Sequence, residues 1–142
     1  MAMDLRANGT LNNTETSLLI KFIYSISRKL SMVIYKVLKE DEYVAFEQNR
    51  KSYGSPSDEV DGFVHLSTKK QLLGTLKKHF YGEKNLILMA VDSAKIQDSL
   101  KWEKSRHGQL FPHLYSTLSY DDALWFAPIE FVDNQHIIPS GL

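Results

Sequence analysis

The chain contains no cysteine. Disulfides, thiolate zinc sites and cysteine nucleophiles are therefore excluded, and the absence is compatible with the cytosol, the expected location. It also lacks net charge, because 17 Lys and Arg balance 17 Asp and Glu. A partner gripped through its phosphates calls for a basic excess, so no nucleic-acid partner is expected. No glycine-rich phosphate loop, internal repeat or low-complexity tract interrupts the sequence. No apolar run is long enough to span a bilayer, so no transmembrane segment is expected.

What remains is an ordinary globular composition. Apolar residues make up 43% and charged residues 24% of 142 positions, enough for one domain with a real core. Residues 1–31 read differently from the rest and form an N-terminal extension. The first fifteen or so are polar, with Asn8, Gly9, Asn12, Asn13 and Thr14, and weak order is expected there. Residues 16–30 then predict an amphipathic helix, with Leu18, Leu19, Phe22, Ile23 and Ile26 at spacings of three and four. Lys21 breaks the apolar run and no small-residue cleavage pattern follows, which argues against a signal peptide. A soluble helix packed on the domain is the first expectation. A membrane-surface helix, with Lys21, Arg28 and Lys29, is the second.

Residues 32–142 predict a single globular α+β domain. The patterning gives strands at 32–38 and 86–91, helices at 41–48 and 69–80, and a closing hairpin of 123–132 with 136–138 around Asp133-Asn134. Residues 49–61 read as a polar loop and 105–118 as an irregular polar-aromatic stretch. The segment Asp61-Gly62-Phe63-Val64-His65-Leu66-Ser67-Thr68 alternates around one histidine. If extended, it puts Phe63, His65 and Ser67 on one face and Val64 and Leu66 on the other.

Three constellations carry chemistry. His65 stands with Ser67 and Thr68, Trp102 with Glu103 and Arg106, and His113 with Tyr115 two residues on. Together they supply imidazoles, hydroxyls, a carboxylate and a guanidinium, a set suited to a polar, partly anionic ligand in an aromatic-lined cleft. Ser67 lacks the Gly-x-Ser-x-Gly elbow of a serine hydrolase, and no histidine pair has metal-ligand spacing, so no metal is expected.

The strings Asp61 to Thr68, Leu100-Lys101-Trp102-Glu103 and Phe111-Pro112-His113-Leu114-Tyr115 resemble the marks of one bacterial family, catalogued as domain of unknown function 952. The resemblance runs from about Val33 to Pro128 and takes in Tyr53-Gly54-Ser55-Pro56; His107 departs from the family's Arg-Gly pair. It implies an ADP-ribosyltransferase-like fold, two small, mostly antiparallel sheets around a nucleotide cleft with a few short helices. It further implies NAD as the cofactor, with His65 at the ribose, Ser67 and Thr68 beside it, and Tyr115 supporting the nicotinamide. Glu103 matches by motif and Glu130 by its late position in the chain. The expected site is thus catalytic His65, Glu103 and His113, with Ser67, Thr68, Arg106 and Tyr115 binding the cofactor. The alternative is a non-catalytic module that binds a small metabolite or a peptide in the same cleft. A third class is an interaction protein docking through the N-terminal helix.

Overall fold

The computed structural model describes residues 10–29 and 31–142. The side chains of residues 27–29 and of Arg106 also lie outside the described set, as do residues 1–9, where part of the expected weak order falls. The chain divides into two units, Met1–Ser31 and Met32–Leu142.

In the first unit, helix α1 spans Asn13–Lys29. Asn12 caps it: its Oδ1 accepts the Glu15 N–H at 2.8 Å, and its own N–H donates to Glu15 Oε2 at 2.9 Å. Leu18, Ile20, Phe22, Ile23 and Tyr24 are exposed. Among the described residues, no helix is long and apolar enough to cross a membrane.

The second unit is mixed α and β, with antiparallel sheets and few helices. Its strands are β1 (Val33–Leu38), β2 (Lys51–Ser52), β3 (Val64–His65), β4 (Leu86–Asp92), β5 (Leu100–Lys104), β6 (Leu110–Leu114), β7 (Leu118–Ser119), β8 (Ala123–Val132) and β9 (Gln135–Ile137). Its helices are α2 (Glu40–Asn49), α3 (Pro56–Asp61) and α4 (Leu72–His79). Where two small sheets were expected there are three: β1-β4-β8-β9, β3-β6-β5 and the short pair β2-β7. Strand β1, at one end of its sheet, and its neighbour β4 are buried on both faces, which is why they read as near-continuous apolar runs. On one face Ile34, Leu38, Met89 and Val91 pack against Val64, Leu66, Leu114 and Phe46. On the other, Tyr35, Val37, Leu86, Leu88 and Ala90 lie under Leu72 and Leu76 of α4.

Two segments depart from the sequence reading. Residues 49–61 are not all loop, because Pro56–Asp61 form a short helix. Its signals were local: Ser55 and Asp58 exchange bonds as a capping box, Pro56 opens the first turn, and Gly62 closes it at φ +83°. The stretch 105–118 holds β6, the middle strand of its sheet, despite Pro112. A proline argues against a central strand, and it masked the alternation on either side. The closing hairpin forms around Asp133 and Asn134, both at positive φ as a tight turn of that hand requires.

One close approach fixes the loop before α3. Gly54 has φ +90°, and a methyl group there would lie 2.2 Å from Oδ2 of the buried Asp58. Both the backbone conformation and the space demand glycine. Gly54→Ala should therefore lower stability by roughly 2–4 kcal/mol. Urea unfolding of the two proteins checks this, and an unchanged midpoint would contradict the packing of Gly54 on Asp58.

Candidate functional site

Strand β3 pairs with β6 so that His65 stands opposite His113 and Val64 opposite Leu114. Side chains alternate across the sheet, so Val64 and Leu114 enter the core while both imidazoles emerge on the other face. Their ring centroids are 5.4 Å apart. β5 pairs with the far side of β6 and alternates in the same way: Lys101 and Glu103 share the imidazole face, and Trp102 does not. Phe63 fills the middle. Its ring stacks on His113 at 4.1 Å and lies 4.6 Å from His65 and 5.2 Å from Tyr115.

Each histidine has a carboxylate behind it. His113 Nδ1 is 3.1 Å from Glu103 Oε1, and the same oxygen accepts the Tyr115 hydroxyl at 2.6 Å. The Tyr115 and His113 bonds favour the ionised acid and hold Glu103 below the usual carboxylate range. The same bond to Glu103 pushes the Tyr115 hydroxyl up. Lys101 Nζ sits over the Tyr115 ring, 4.5 Å from its centroid. Glu103 and Tyr115 are about two-fifths exposed, whereas His113 is nearly buried.

The His65 pair is built differently. Nδ1 of His65 lies 2.5 Å from Asp58 Oδ1, and Nε2 lies 3.2 Å from Asp61 Oδ2. Asp58 is 2% exposed and accepts from four directions. Its Oδ2 takes the Lys36 ammonium at 2.6 Å and the Ser55 N–H at 2.9 Å; its Oδ1 takes the His65 N–H at 3.2 Å and the His65 ring. Burial alone would push this carboxyl up, but the His65 bond and the Lys36 charge outweigh it and hold it well below the usual range. Lys36, at 5% exposure in the middle of β1, is the cation on the core side. The result is a chain of contacts from the core to the surface: Lys36, Asp58, His65, Asp61.

The structure thus gathers His65, Glu103, His113 and Tyr115 around Phe63. It does not bring Ser67 there. The alternation expected through Ser67 ends at Leu66, because Ser67 turns inward to bridge Tyr35 of β1. Ser67 Oγ shares a 2.8 Å bond with Thr75 Oγ1 on α4. Thr68 sits at the start of the turn leading into α4, its N–H donating to Gln71 Oε1. Arg106 begins a short 3-10 turn, and its side chain is outside the described residues. Glu130 is exposed on β8, in the other large sheet. A separate open groove of about 300 Å³, lined by Asp41, Phe46, Asn49 and Tyr53 among others, holds none of the expected site residues.

Lys36, Asp58 and Asp61 were missed from sequence. A lone lysine inside Val-Ile-Tyr-Lys-Val-Leu was the available signal, since a charge at the centre of a buried strand needs a counter-charge. The Ser55-to-Asp58 capping box was the other.

Asp58 makes acid stability a readout of this network. Its folded carboxyl titrates below the unfolded value of about 3.9, so the unfolded chain takes up the proton first as the pH falls. Its contribution to stability is full above that range and is lost as the pH falls toward the folded value. Urea midpoints of wild type should therefore drop more steeply than those of Asp58→Asn between about pH 5 and pH 2. Parallel curves would contradict the network.

Comparison with curated proteins gives no match. Among solved structures, the chain is similar to the crystal structure of protein CC0527 from Caulobacter crescentus. Identity is 37%, the TM-score is 0.71, and the alignment covers 74% of this chain and 92% of that one. The solution NMR structure of CC0527 gives 38% identity and a TM-score of 0.66, covering 73% and 90% of the two chains. A family model described as "Protein of unknown function (DUF952)" matches residues 37–126, which take in β3, β5 and β6 and with them the whole imidazole face. The chain belongs to the DUF952 family.

Proposed function

We propose that the face formed by Phe63, His65, Glu103, His113 and Tyr115 binds NAD or a related nucleotide, in the manner of an ADP-ribosyltransferase-like site. The observation that carries the reading is the Glu103 carboxylate, ionised, held by His113 and Tyr115, and set beside aromatic rings on an accessible surface. In this reading the nicotinamide stacks on Phe63 and Tyr115, and its ribose faces Glu103. As nicotinamide leaves, positive charge develops on the ribose, and a fixed carboxylate stabilises that charge more than it stabilises the ground state. His65 offers its outer nitrogen to a ligand oxygen, and His113 orients Glu103.

Calorimetric titration with NAD tests the binding step. Wild type should bind and His65→Ala should bind about tenfold or more weakly; no heat in either would remove the reading. Glu103→Gln, assayed for nicotinamide release beside the titration, separates the two functional classes. A transferase-like enzyme loses nicotinamide release while keeping NAD binding. A non-catalytic binding module shows no release in either protein.

A further inference from the structure

Lys36 lies on the core side of this site and touches no solvent-facing part of it. Its position is unusual: it projects from β1 on the same face as Ile34 and Leu38, which belong to the main apolar cluster. An ammonium group there is costly unless it is paired and hydrogen-bonded. Asp58 meets that need at 2.6 Å, and yet Asp58 also serves His65 through its second oxygen. Two cations therefore share one buried carboxylate.

We infer that Lys36 is a positioning residue of the site: acting through Asp58, it anchors the inner nitrogen of His65 and leaves the Nε2 proton to an outer partner. In the structure that partner is the half-exposed Asp61; in the occupied site it is a ligand oxygen. The physical reason is charge balance. With Lys36 present, Asp58 is already neutralised from the core side, and His65 is not held as its sole counter-ion. Without Lys36, His65 becomes the one cation left to pair with the buried carboxylate, which draws the ring toward Asp58 and away from a ligand. The charged and titratable groups around the ring are Asp58 and Asp61 from α3, Lys36 from β1 and His113 from β6, with Glu103 of β5 behind His113. Of these, only Lys36 is a fixed cation bonded to the carboxylate that anchors the ring. This assignment rests on the proposed ligand role of His65, but its first readout does not use NAD.

The test is nitrogen-15 NMR of the histidine rings in the full chain, comparing wild type, Lys36→Met and Lys36→Arg. Methionine keeps the length and apolar stem of the side chain and removes the charge. The folded Lys36→Met protein should show His65 ring nitrogen signals shifted from those of wild type at pH 7, and NAD binding should weaken about tenfold. Lys36→Arg keeps the charge and should keep the wild-type ring signals, which provides the readout if Lys36→Met does not fold. Unchanged His65 signals in folded Lys36→Met, or altered signals in folded Lys36→Arg, would overturn the inference. Failure of NAD to bind wild type, with the ring signals as expected, would remove the nucleotide reading and leave the role of Lys36 standing.

Discussion

A lysine in the middle of a buried strand imposes a condition on the rest of the fold. Lys36 cannot sit between Ile34 and Leu38 without an acid within bonding distance. The acid arrives on α3, a helix of six residues whose one buried residue is Asp58. Several local choices follow from that requirement. Ser55 caps the helix and donates to the same carboxylate, and Gly54 leaves the space that any side chain would fill. His65 completes the arrangement from the adjacent strand. Breaking one partner of such a pair leaves an uncompensated buried charge, which costs about 3–5 kcal/mol. The helix, the glycine turn and the histidine form one electrostatic unit that ties β1 to β3.

The two imidazoles of the candidate site thus differ in kind although they face each other across one pair of strands. His65 is tied to a buried, fully bonded carboxylate and inherits its rigidity. His113 is itself nearly buried, under Phe63, but its acid partner Glu103 is accessible. The two dyads stand within a ring's width of each other, one on a buried acid and one on an accessible acid. Phe63 supplies the wall that both use. Pre-organised polar groups of this sort act best where they need not move when charge develops.

The sequence was most legible where local pattern and final environment agreed. The apolar run of β4, the amphipathic helix α1 and the turn at Asp133-Asn134 all read directly, because periodicity and turn chemistry decide them. The convergence of His65 with Glu103, Tyr115 and His113 was anticipated from motifs, whereas the pairing register that produces it was not readable, since β6 hides a proline at its centre. Ser67 shows the limit of alternation. One bridge to Tyr35 turned it into the fold just where the pattern pointed it outward. Lys36 and Asp58 escaped notice for a different reason: their pairing spans 22 positions, and no single-segment rule connects a lone strand lysine to a helix-cap aspartate.

A double-mutant cycle on Lys36→Met and Asp58→Leu, read by urea unfolding at neutral pH, tests the electrostatic unit most directly. Asp58→Leu should cost roughly 3–5 kcal/mol, because it strands the Lys36 ammonium, and Lys36→Met should cost less, because His65 still pairs with Asp58. The double change should cost clearly less than their sum, with a coupling of at least about 1 kcal/mol, because it removes both charges together. Additive losses would show that the two groups do not depend on each other, and that something other than the Lys36–Asp58 pair holds His65 in place.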